Sequence, residues 1–167
     1  MRRSPDKRTL ACYWQPYIVP PIAERYKQIY DMDIQLSKNF MLSELVHSEI
    51  AYYNNLRNEP TPEAFCALCN LVSCTLQPLR DYLNEPITIN SGYRTAELNR
   101  LVKGVYGSQH IKGEAADIRI SGDAMRVVSA VLKSGIPYDQ CIFYTRRNFV
   151  HVSYSRFADN KRQIIYQ

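Results

Sequence analysis

Between Thr61 and Leu83, apolar side chains recur at positions 65, 68, 71, 72, 76, 79 and 83. This three-and-four spacing predicts an amphipathic helix of about six turns. Thr61 stands as its N-cap, and Pro62 occupies the first helical position. Pro78 falls inside the pattern, where it removes a donor and crowds the preceding turn, so the helix is expected to kink or split there. Upstream, Ser43 and Glu44 open a helix expected to reach about Ile50, closed by the polar residues 54–59.

Beyond Pro86 the pattern changes. Ile87, Thr88 and Ile89 read as a short strand ending at the turn-prone run Asn90-Ser91-Gly92. Residues 95–102 read as a short helix and 104–107 as a loop. Residues 115–120 form a strand candidate, and 123–133 an amphipathic helix stopped by Gly135 and Pro137. Three strand candidates follow, at 140–144, 149–154 and 163–166. Helices come mostly first and strands mostly last, which predicts an α+β domain with an antiparallel sheet rather than a series of βαβ units. Residues 1–38 are less regular, with prolines at 5, 16, 20 and 21 and a short helix expected from Pro21 to Tyr30. They are expected to form an arm or cap on a domain at residues 39–167.

Composition narrows the class. A chain of 167 residues, 46% hydrophobic and 22% charged, is long enough for one soluble domain with a proper core. No apolar run is long enough to span a bilayer. The N-terminal run carries charge without a continuous apolar stretch, so no secretory signal is read, and the chain is expected to be cytoplasmic as synthesised. A net charge of +5 favours acidic partners in general, but the basic residues are scattered and no nucleic-acid motif accompanies them. Five cysteines without an export signal predict reduced thiols. Cys66, Cys69 and Cys74 lack a nearby fourth ligand and are expected to pack as small hydrophobes on the helix's apolar face.

The chemistry lies in the histidines. Only three are present, and two fall in Ser108-Gln109-His110-Ile111-Lys112-Gly113-Glu114-Ala115-Ala116-Asp117 and Phe149-Val150-His151-Val152. His110 is placed in a loop, Asp117 in a strand seven residues on, and Gly113 permits the tight return between them. In its own strand, His151 points away from Val150 and Val152. Two imidazoles and a carboxylate can bind one metal ion, and three protein ligands leave zinc a fourth position for water, as in catalytic sites. The third histidine, His47, is expected to be a partly buried structural residue. Arg94, directly after the turn Ser91-Gly92-Tyr93, can project its planar fork of donors into a cleft to grip a carboxylate or carbonyl.

The order Ser91-Gly92-Tyr93-Arg94, Leu98-Asn99, the His110–Asp117 loop and the His151 strand resembles the zinc D-alanyl-D-alanine metallopeptidases. These include the D-Ala-D-Ala carboxypeptidases and phage L-alanyl-D-glutamate endolysins, and their wider group takes in the lysostaphin-type peptidases and the hedgehog signalling domain. The resemblance runs from about Asn39 to the C-terminus. It implies a hedgehog/DD-peptidase fold and a zinc peptidase acting on peptidoglycan stem peptides, delivered to the wall by a holin or another export route. It also implies His110, Asp117 and His151 as ligands, Arg94 as the holder of substrate, and Ser108 as a substrate or loop contact. Well-studied members carry an acid three residues before the last histidine as general base, and here that position is Asn148. Tyr144 and Asp139, in the strand region before it, and Glu114, inside the ligand loop, are the candidates to replace it. The same departure motivates a second expectation, a zinc-stabilised module that binds wall peptides or a protein without cutting. If loss of the acid alone limits turnover, Asn148→Asp should raise activity. Tyr52, Tyr53, Tyr93 and Tyr106 are candidates to line a substrate groove.

Overall fold

A computed structural model describes residues 33–167, so the expected helix from Pro21 to Tyr30 lies outside the described residues. The described chain is a mixed α+β structure with two sheets. Strands β1 (Gln35–Ser37) and β2 (Phe40–Met41) form a small antiparallel pair. Two short helices follow, α1 (Leu42–Val46) and α2 (Glu49–Tyr53). A single helix was expected here. Instead His47 is extended, and the Ser48 side chain accepts from Ala51 N, restarting the helix by capping it.

Helix α3 (Pro62–Leu71) begins as expected, with the Thr61 side chain accepting from Ala64 N. Pro78 then has its effect. Residues Val72–Leu76 widen into a π-helical turn, with Gln77 N donating to Val72 O, before α4 (Gln77–Leu83) resumes with the proline in its first turn. The wider turn accommodates a ring that would strike the carbonyl one α-helical turn back. Leu68, Leu71, Val72, Leu76 and Leu79 are fully inside, whereas Cys66 is exposed and Cys69 and Cys74 are half-buried. The expectation that these thiols fill the core is therefore corrected: they lie beside the buried stripe.

The main sheet has the order β3-β4-β6-β5-β7, with β3 (Thr88–Ser91), β4 (Ala115–Arg119), β5 (Gln140–Tyr144), β6 (Phe149–Ser153) and β7 (Gln163–Tyr166). Four strands pair antiparallel, as the sequence predicts, but β7 runs parallel to β5. The 154–162 connection returns to the end where β5 starts. There the Asp139 carboxylate accepts from Lys161 N, and its carbonyl accepts from Gln163 N. One face of the sheet packs Ala116, Ile118, Cys141, Phe143, Val150 and Val152 against α3, α4 and α6 (Met125–Ser134). The opposite face is left for chemistry. Among the described residues no helix is long and apolar enough to cross a membrane.

Candidate metal centre

Register places the key side chains in one row. Asp117 on β4 pairs with His151 on β6, which pairs on its other side with Ile142 on β5. His151 therefore faces away from Val150 and Val152, both fully buried. His110 arrives from a loop of successive tight turns, in which Ile111 N donates to Ser108 O, Lys112 N to Gln109 O, and Gly113 N to His110 O. Gly113 has φ +74, and a Cβ there would meet Ala64 O at 2.3 Å, so glycine is required both for the turn and for the loop's seat on α3.

The three side chains each turn a ligand atom toward the others, all within 4.8 Å. Asp117 Oδ1 is 2.9 Å from His151 Nδ1 and 3.3 Å from His110 Nε2, and the two nitrogens are 3.2 Å apart. His110 Nδ1 lies 2.7 Å from Gly92 O. A carbonyl only accepts, so Nδ1 carries the ring proton and Nε2 presents its lone pair inward. A lone pair, a carboxylate oxygen and a second imidazole nitrogen converge closely enough to share one cation. The donor set fits a divalent transition metal such as zinc, and the Gly92 contact is the outer hydrogen bond that usually orients a metal-binding histidine.

Electrostatics agree. Burial alone would raise the Asp117 carboxyl, but the two imidazoles beside it hold it well below the usual carboxylate range. Burial pushes the His110 imidazole down, outweighing the opposing pull of Asp117. An ionised carboxylate and a neutral imidazole are the forms that bind metal.

Arg94 completes the centre. Its Nη2 lies 2.9 Å from Asp117 Oδ2, its Nε donates to Ser91 Oγ, and its backbone N donates to His110 O. The cluster forms part of the wall of a cleft of about 1140 Å³, to which Arg94, Ser108, Tyr144 and Asp139 also contribute.

The profile of the Peptidase M15 family matches residues 38–153, more than half of the chain, and spans every one of these groups. The chain belongs to the Peptidase M15 family. This is the zinc D-Ala-D-Ala metallopeptidase family that the sequence resembles. No curated protein matches the chain.

Within this M15 domain the other expected site residues divide. Asn148 does not line the cleft. It sits in the left-handed region with φ 50, its Oδ1 accepting from Ala124 N and its Nδ2 donating to Gly122 O, so it clamps the turn ahead of α6. Glu114 is likewise outside the cleft, its carboxylate accepting from Ser155 Oγ. Asp139 remains, accepting from Gln109 Nε2 at 2.9 Å, and Tyr144 remains, stacked on Phe149 at 4.5 Å. His47 is exposed and borders the cleft, contrary to the buried role expected of it, because α1 ends just before it. Of the four tyrosines expected to line a groove, Tyr93 is buried in the core. Tyr52, Tyr53 and Tyr106 are exposed, outside the cleft lining.

Sequence reasoning missed Asn58, which is buried in a stretch that reads as a polar loop. Its Nδ2 donates to Val46 O and Tyr93 O, and its Oδ1 accepts from Thr95 N, so it pins the Arg94 segment from both sides. No spacing rule flags such a residue.

Proposed function

We propose that this M15 protein is a zinc-dependent peptidase that hydrolyses bacterial peptidoglycan stem peptides, as a D,D-carboxypeptidase or a cell-wall endopeptidase. The observation that carries the reading is the convergence of His110, Asp117 and His151 with Arg94 on the wall of one open cleft. A hedgehog/DD-peptidase fold over residues 39–167, with residues 1–38 as an arm, goes with this reading. So does delivery to the wall by a holin or another export route.

His110, Asp117 and His151 hold the metal. A zinc ion bound there supplies Lewis acidity toward water and the scissile carbonyl. The protein's own groups do the rest. Arg94 and Ser108 both border the cleft, Arg94 to hold a substrate carboxylate or carbonyl oxygen. Asp139 and Tyr144 are the groups suited to exchange protons in place of the absent acid at Asn148. Substrate charge fits as well. Lys103, Arg147 and Lys161 border the cleft, and no ion pair engages them among the described residues, so the cleft suits an anionic peptide.

A second reading, a zinc-stabilised module that binds wall peptides or a protein without cutting, is favoured by one observation: the family's acid position is turned away from the cleft. Mass spectrometry separates the two. Zinc-loaded protein is incubated with purified peptidoglycan and with a D-Ala-D-Ala-ended pentapeptide, beside a His151→Ala control. Released D-alanine identifies a carboxypeptidase and cleaved cross-links an endopeptidase, each absent from the control. No product from protein holding one zinc leaves the binding module.

A further inference from the structure

The segment Ser91-Gly92-Tyr93-Arg94 touches two of the three candidate ligands through four separate links. Ser91 pairs with Asp117 across β3 and β4, Gly92 O accepts from His110 Nδ1, and Arg94 N donates to His110 O. The fourth link is the ion pair between Arg94 Nη2 and Asp117 Oδ2, whose side chains are each only 15% exposed. The two oxygens of Asp117 are thus divided. Oδ1 faces the two imidazoles, while Oδ2 is committed to the guanidinium. Arg94 is itself steadied by the bond from Nε to Ser91 Oγ, so its fork enters the pair already oriented. An arginine used solely to capture substrate would keep its fork free. Here Nε and Nη2 are both turned inward.

We propose that Arg94 is a positioning residue for Asp117. By occupying Oδ2 it keeps Asp117 a single-oxygen ligand, so that the carboxylate does not take the coordination position needed by water, and it fixes the ligand's orientation and raises zinc affinity. The proposal rests on the zinc-site reading above. It also links substrate to metal: a substrate carboxylate drawn to Arg94 competes with Asp117 for the same donors and loosens the grip on Oδ2.

The test measures metal rather than turnover. Zinc affinity is taken by chelator competition, and the visible spectrum is recorded with cobalt(II) in place of zinc, for the full chain and for Arg94→Gln, Arg94→Lys and Ser91→Ala. Arg94→Gln is expected to bind zinc ~10–100-fold more weakly, the usual cost of removing an outer partner of a metal ligand. Its cobalt bands should lose intensity as the second carboxylate oxygen enters the coordination sphere. Arg94→Lys restores most of the affinity, and Ser91→Ala gives a smaller loss in the same direction. Melting of the metal-free proteins shows whether each variant folds; if Arg94→Gln does not, Ser91→Ala and Arg94→Lys carry the decision. Wild-type affinity and an unchanged cobalt spectrum in the folded variants overturn the proposal and leave Arg94 a substrate residue alone. A wild-type protein that takes up neither metal overturns the underlying site reading with it.

Discussion

Asn148 illustrates how one position serves two demands. A carboxylate there would still accept from Ala124 N at the start of α6, but it has no N–H to give Gly122 O. Asn148→Asp is therefore expected to lose one exposed hydrogen bond, about 0.5–1.5 kcal/mol, partly offset by a negative charge near a helix N-terminus. Turnover should not rise, because the side chain stays outside the cleft; thermal melting and a peptidase assay check both halves. Cysteine chemistry also separates by position. Burial pushes the Cys141 thiol up to about 12, so it stays protonated and unreactive throughout the neutral range, while Cys66 is exposed. Iodoacetamide at neutral pH should label Cys66 in the folded protein and reach Cys141 only after unfolding, as peptide mapping would show.

Elements matter through their contacts at close range. Gly92 passes so near α1 that a Cβ would lie 2.2 Å from Leu45 O, a backbone atom with little room to yield, and Tyr93 N donates to that same oxygen at 2.7 Å. Gly92→Ala should cost roughly 1–3 kcal/mol, as overpacking does. Because Gly92 O orients His110, the same substitution should weaken zinc binding, which calorimetric titration beside a melt would reveal. The long helical period, its N-cap and the strand alternation around His151 were legible because each is a local pattern. The break before Ser48 was not, since a serine cap competes with helix continuation only through its own hydrogen bond. Nor was the burial of Asn58, whose partners lie 12, 35 and 37 residues away and exist only once the chain has folded.

Across the whole molecule the site joins a loop, two central strands and the segment after an edge strand, so metal binding and folding are coupled. A ligand that binds only the native state stabilises it by about 2.7 kcal/mol at a hundredfold excess over its Kd. Zinc-loaded protein should melt several degrees above the chelated form, with peptidase activity lost on chelation and regained on adding zinc. An unshifted melt would count against the site. His110, Asp117 and His151 could be picked out because histidine is scarce in this chain and the three stand in a recognisable order. The parallel β7 could not, because strand direction there depends on where the 154–162 connection lands. The candidates for proton transfer were narrowed only by three-dimensional placement, which put Asp139 and Tyr144 at the cleft and Glu114 away from it.

That parallel strand has a practical side. Gln167 N donates to Phe143 O, its carbonyl accepts from both Thr145 N and Thr145 Oγ1, and the residue borders the cleft. Anything fused after Gln167 begins beside the cleft that holds the candidate metal centre. An affinity tag or surface tether placed there would compete with the substrate for entry, and a polyhistidine tag would also bring extra imidazoles to the metal, so attachment is better made elsewhere on the chain.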